Sequence, residues 1–198
     1  MQNIGAENMT ILSDCMVDLE TLATSSDAAV LTIGAVKFDP FGDELNDSAM
    51  ESFYVRVDLD SCDRIGLVTS DSTIEWWSKQ SPEAQEEAFG VEDRIDIVDA
   101  MNQFYKFCWG SKRIWSHGAG FDVVILETIF RRINKGYPWQ YWGVRDTRTL
   151  FDMGIDPNRP PVLAHHALQD AWNQAVGVQN VCRELRKQGV EMFKDTRK

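Results

Sequence analysis

The sequence predicts an α/β layered domain built on a mixed sheet. Three observations predict it. Strand-like apolar segments follow one another closely up to Leu59, the pattern turns helical from Ser72, and from Arg113 short strands alternate with helices. The chain has 198 residues, 43% of them apolar and 26% charged, enough to bury a core without staples.

Residues 1–10 are polar and read as a flexible lead-in, with one domain over residues 11–198. Ile11 to Glu20 reads as the first strand and Ala28 to Phe38 (AAVLTIGAVKF) as the second. Asp39-Pro40-Phe41-Gly42 is a turn sequence, and Ser52 to Leu59 (SFYVRVDL) alternates as a third strand. Short connections make these an antiparallel meander. Ser72 to Lys79 (STIEWWSK) is helical, and Ser81 is an N-cap with Pro82 at the first position of the next helix. Between Glu92 and Trp109, Ile95, Val98, Met101, Tyr105 and Cys108 recur at helical spacing. Arg113 to Ser116 is a short strand, Phe121 to Ile133 a helix and Tyr141 to Val144 a further short strand. After the break at Pro160-Pro161, Leu163 to Lys187 forms a long last helix.

The net charge of −11 argues against a protein that coats DNA or an anionic membrane. It leaves room for an enzyme that meets phosphate through bound cations. Cys15, Cys62, Cys108 and Cys182 show no zinc-ligand spacing and read as free thiols in a reducing, cytoplasmic setting. Met1 to Thr10 lacks the basic and apolar regions of a secretory signal, and no apolar run is long enough to span a membrane. Trp139, Tyr141 and Trp142 are candidates for a homodimer surface or for the core.

Three features carry chemistry. In Met16-Val17-Asp18-Leu19-Glu20, strand alternation puts Asp18 and Glu20 on one face and Val17 and Leu19 on the other. Two carboxylates on a central strand repel each other and resist desolvation, and a divalent cation offsets both. An exposed strand end with two solvated acids fits the same residues. Asp122 opens a helix after the glycine-bearing segment Ser116-His117-Gly118-Ala119-Gly120-Phe121, where it can face a site or merely cap the helix. In His165-His166-Ala167-Leu168-Gln169-Asp170, His166 shares a helical face with Asp170. Residues five apart diverge by ~140°, so His165 meets Asp170 only from before the helix or its loose first turn.

In chain order, DxE, then FD opening a helix, then HxxxxD resembles the DEDDh (DnaQ-like) 3′–5′ exonucleases of the ribonuclease H-like fold. The likeness runs from Asp14 to Cys182, and Ser72-Thr73-Ile74-Glu75-Trp76-Trp77-Ser78-Lys79-Gln80-Ser81-Pro82 narrows it. That segment resembles the group of T-even phage exonuclease A and exonuclease VIII-like enzymes, which includes a mycobacterial exoribonuclease. The resemblance implies three antiparallel strands followed by parallel strands, flanked by helices. It implies Asp18, Glu20, Asp122 and Asp170 as ligands of two divalent cations, Mg²⁺ or Mn²⁺, and selects His165 over His166 as general base. Gly118 stands where many members carry Asn, which removes one polar contact near the scissile end.

The implied activity is 3′–5′ hydrolysis of single-stranded nucleic acid with a free 3′ end, giving 5′-mononucleotides. Phage likeness favours DNA and a host-cytoplasm setting, while the mycobacterial relative points to RNA. Leu22 and Phe121 are candidate base-stacking wedges, at most one of Trp76 and Trp77 is a candidate base contact (Trp77 the one named) with both also fitting the core, and Arg148 is a candidate phosphate contact. Arg145 and Asp146 fit a structural pair as well as a phosphate site, and His117 reads as structural. Two alternatives stand beside this one: a hydrolase of small nucleotides or short oligonucleotides, and an inactive exonuclease-fold binding module. Retention of all five motif residues argues against the second.

Overall fold

A computed structural model describes residues 12–43, 50–163 and 165–193. The expected lead-in over residues 1–10 lies outside the described residues. Strands β1 (Asp14–Thr21), β2 (Val30–Phe38) and β3 (Glu51–Val57) form the expected meander, each pair antiparallel. Helices α1 (Leu59–Arg64), α2 (Asp71–Trp77) and α3 (Pro82–Phe89) follow, then β4 (Arg94–Ile95) and α4 (Ile97–Cys108). Next come β5 (Arg113–Ser116), α5 (Asp122–Arg132), a 3₁₀ turn over Tyr141–Gly143, β6 (Val144–Asp146), α6 (Thr147–Phe151) and α7 (Ala167–Lys187). The sheet order is β4-β3-β2-β1-β5-β6, with β5 and β6 parallel to β1 and β4 parallel to β3.

Strand alternation sorts side chains into two cores, one on each face. Val17 and Leu19 of β1 and Ile33 and Ala35 of β2 pack with Ile97, Met101 and Phe104 of α4 and Ile125, Ile129 and Phe130 of α5. Met16, Val36 and Phe38 face the other way, onto Ala171, Ala175, Val178 and Cys182 of α7. Asp18 and Glu20 therefore point to the α7 side. Gly34 pairs with Asp18 across β1–β2 and faces α7 too. A Cβ at Gly34 would collide with the backbone of Ala167 and Leu168. Glycine here lets the first turn of α7 lie directly on the sheet.

Several expected boundaries shift. The third strand stops at Val57, because Asp58 caps α1 by accepting from Ser61 N at 3.0 Å. The helix expected from Glu92 begins at Ile97, capped by Asp96, and Arg94–Ile95 join the sheet beside β3. Its buried face is Ile97, Ala100, Met101, Phe104 and Cys108, so Val98, expected inside, is exposed. The last helix starts at Ala167 rather than Leu163, and the strand near Tyr141 is displaced to Val144–Asp146. Ser81 and Pro82 start α3 as expected, the Ser81 hydroxyl accepting from Ala84 N at 3.2 Å. All four cysteines are free and buried. Trp139, offered as a dimer-surface candidate, is in the core, whereas Tyr141 and Trp142 are exposed. Among the described residues, no helix is long and apolar enough to cross a membrane.

Candidate active site

The site forms where β1 outruns its parallel neighbour. The last β1–β5 pair is Met16 with Trp115, so Asp18 and Glu20 lie beyond it, at the carboxyl ends of the strands. Open α/β sheets place ligands at such ends. Past that pair, Leu19 N donates to Asp122 Oδ1 at 3.1 Å, which draws the start of α5 to the end of β1. The loop before Asp122 is held by Asp146, whose Oδ2 accepts from Ala119 N at 2.7 Å and whose Oδ1 accepts from Arg148 N at 2.8 Å. Gly118 has φ +114°, a backbone conformation suited to glycine. A register shift between Glu20 and Thr21 bends the pairing with β2 at the same place.

The fourth carboxylate comes from α7. Asp170 is in the first turn, and its Oδ2 accepts from His165 N at 3.0 Å. His165 has φ +63° and precedes the helix, one of the two placements from which it was expected to meet Asp170. The meeting is made by its backbone, which leaves the imidazole free to turn elsewhere. That ring packs edge-on against Trp76, with centroids 4.9 Å apart, and lies 6.0 Å from Trp77. His166 diverges: its ring sits 5.4 Å from that of Tyr54, and its Nε2 is 3.8 Å from Glu87 Oε1.

Carboxylate oxygens of Asp18, Glu20 and Asp170 lie within 4.8 Å of one another. Burial pushes Asp18 well above the carboxylate range, and the charges of Asp122 and Glu20 push it further. Burial, then Asp170, Asp122 and Glu87, push Glu20 up to about 8. Burial raises Asp122 to about 7 and lifts Asp170 against the donation from His165 N. Among the described residues, no Lys or Arg forms an ion pair with any of the four. Clustered, partly buried, oxygen-only donors without an ion-paired cation fit hard divalent cations. Asp18, Glu20 and Asp170 are the cluster that would hold such an ion, with Asp122 contributing from α5.

Gln174 was not singled out from the sequence. Its Nε2 donates to Asp18 Oδ1 at 2.8 Å. The signal was its position four after Asp170, which puts both on one face of α7. Gly34 was also missed, and an isolated glycine inside an apolar strand was its signal.

The expected substrate contacts separate. Leu22 is 4% exposed and packs into the core, which corrects its expected role as a wedge. Trp77, expected to touch a base, is 2% exposed and donates its Nε1 to Thr21 O at 2.9 Å, while Trp76 is 43% exposed. Phe121 lines, with Thr21, Thr73, Trp76 and Trp77, a mostly apolar cavity of about 380 Å³. Arg148 is exposed beside Gly118, and its charge acts on Asp122. Arg145 turns away, its Nη1 donating to the carbonyls of Trp142 and Val144 at 2.7 and 2.8 Å. His117 Nδ1 lies 2.8 Å from the Thr147 hydroxyl, a structural contact.

Residues 13–182 match the family described as 3′-5′ exoribonuclease Rv2179c-like domain. An exodeoxyribonuclease of Enterobacteria phage T4 is 30% identical over 167 residues, covering 70% of this chain and 70% of the relative. Among solved structures, the RNase domain of the yeast Pop2 protein matches at TM-score 0.51 and 11% identity, over 89% of this chain and 78% of that one. The nuclease domain of 3′hExo, a DEDDh family member bound to rAMP, matches at TM-score 0.50 and 15% identity, over 91% and 94%. These two structural likenesses concern the fold.

Proposed function

The chain belongs to the 3′-5′ exoribonuclease Rv2179c-like domain family and is a 3′–5′ exonuclease of the DEDDh type, and from that premise we propose that it shortens single-stranded nucleic acid, DNA before RNA, to 5′-mononucleotides. The observation that carries this reading is the convergence of Asp18, Glu20, Asp122 and Asp170 from β1, α5 and α7. The preference for DNA is supported by the phage T4 relative, an exodeoxyribonuclease. RNA is the second reading, because the matching family is described as exoribonuclease.

Asp18, Glu20, Asp122 and Asp170 would hold two divalent cations, Mg²⁺ or Mn²⁺. When bound, these cations supply Lewis-acid polarisation of the phosphate and charge for the leaving oxygen. The protein's own work is positional and acid–base. Phe121 and Trp76 stack the terminal base in the cavity they line with Thr21. Arg148, exposed at the start of α6, meets a phosphate oxygen. His165 takes the proton of the attacking water at its imidazole, while its backbone N–H stays on Asp170. A P–O bond forms to that water and the P–O3′ bond breaks. The leaving 3′ oxygen takes up a proton, and a 5′-mononucleotide is released.

The test uses 5′-labelled DNA and RNA strands of one sequence, resolved on a denaturing gel with Mg²⁺, Mn²⁺ or EDTA. A ladder shrinking from the 3′ end, faster for DNA, lost in EDTA and in Asp18→Ala, is the expected result. A faster RNA ladder overturns the sugar preference. Strands of unchanged length in every metal, with folded protein, overturn the reading as a whole.

A further inference from the structure

His165 has an arrangement its proposed role does not by itself require. Its φ of +63° is uncommon for a non-glycine residue. Its backbone N–H is committed to Asp170. Among the described residues, no hydrogen bond reaches the imidazole, and its ring contacts are Trp76 and Trp77. An imidazole without a hydrogen-bond partner takes its orientation largely from packing.

Trp76 is built to give that orientation. Its ring stands at 85° to the imidazole with centroids 4.9 Å apart, the edge-to-face arrangement aromatic pairs prefer. It is held in turn by Trp77, edge-on at 5.1 Å, and Trp77 is fixed by donating to Thr21 O, one residue beyond Glu20. Trp76 thus links the metal-binding end of β1 to the imidazole. It also lines the cavity with Phe121 and is 43% exposed, so one indole touches both the place where a base stacks and the residue that takes the proton.

We propose that Trp76 is a positioning residue that couples base occupancy to His165: a 3′-terminal base filling the cavity presses the indole against the imidazole and aligns it. This rests on the reading of His165 as general base. An end without a base leaves the indole unsupported and the imidazole misaligned. Small misplacements of a reacting group cost up to ~10²-fold in rate.

The experiment is a cycle in protein and substrate. Wild type, Trp76→Leu and Trp76→Phe are compared at saturating concentrations of strands whose 3′-terminal nucleotide carries a base or lacks one. Circular dichroism checks that each variant is folded. The wild-type kcat is expected to fall by between about 10- and 100-fold when the base is removed. Trp76→Leu is expected to show a similar fall on the complete strand and none further on the abasic one, and Trp76→Phe to recover most of the rate. Losses that multiply, or a Trp76→Leu effect confined to KM, overturn the coupling. His165→Ala separates the two readings. If it is as fast as wild type, the general-base reading fails and the coupling with it. If it is slow while Trp76→Leu keeps the wild-type kcat on complete strands, the coupling alone fails.

Discussion

At the scale of single residues, the site depends on how one carboxylate is held. Asp18 is half-buried among other acids, and Gln174 Nε2 donates to its Oδ1 at 2.8 Å. Gln174 is itself 6% exposed, so the amide cannot swing to water without opening the helix–sheet contact. Partners that orient a metal-binding carboxylate typically contribute 10–100-fold in affinity. Gln174→Met, similar in shape but without the donor, is therefore expected to weaken Mn²⁺ binding by about 10- to 100-fold. Calorimetric titration of folded protein checks this, and an unchanged Kd would show that the amide serves packing alone. Asp18, Glu20, Asp122, His165 and Asp170 were singled out by the chain order of their motifs, because each alone also fits an ordinary solvated, capping or surface role. Gln174 was not, because a glutamine in a long helix reads as a solvated surface residue. Leu22 was misplaced for a related reason: an apolar residue following a motif looks the same from sequence whether it faces a groove or the core.

At the scale of elements, β2 and α7 decide where Asp170 lands. Gly34 lies opposite Asp18 in the β1–β2 register, and the backbone of Ala167 and Leu168 occupies the space of its missing Cβ. Gly34→Val would lift the first turn of α7 and carry Asp170 away from Asp18 and Glu20. Overpacking of this kind costs about 1–3 kcal/mol of stability. Activity is expected to fall at least as far as in Asp170→Asn while far-UV circular dichroism persists, and nuclease rates with a urea melt measure both. A variant with wild-type activity would contradict the placement. The long, strongly patterned elements were legible: the meander, α5 and most of α7; the four-residue β5 was legible as a short strand. The shifted boundaries all involve short local signals. Asp58 and Asp96 cap helices, yet read from sequence as parts of a strand and a helix. Strand β4 is two residues long, below the length at which a pattern exists.

At the scale of the whole molecule, the acidic cluster links stability to pH and metal. Folding raises Glu20 from its ordinary 4.5 to about 8 and Asp122 from 3.8 to about 7. Without metal, the folded protein holds protons that the unfolded chain releases between about pH 4 and 8, so stability falls as pH rises through that window. A cation that binds the ionised cluster reverses the loss. In EDTA, Tm is expected to drop between about pH 5 and pH 8, and Mn²⁺ to raise it more at the upper end. A Tm in EDTA that climbs across this range would contradict the assignment of these groups as buried and unpaired. The fold was legible as a whole because an antiparallel meander and a parallel extension leave distinct rhythms in the sequence. The crossing of β1, α5 and α7 at one point was not, since no local pattern encodes where distant elements meet; the order of motifs supplied it.

If these residues direct water to the last phosphodiester of a strand, the oxygen of that water must appear in the phosphate of the released nucleotide. Digestion of a single-stranded oligonucleotide in H₂¹⁸O, with mass spectrometry of the earliest products, tests it most directly. The account predicts 5′-mononucleotides from the 3′ end, each carrying one ¹⁸O in its phosphate, with release slowed by between about 10²- and 10⁴-fold in His165→Ala and nearly abolished in Asp170→Asn. Release of 3′-phosphorylated nucleotides, or of nucleotides from the 5′ end, would contradict it.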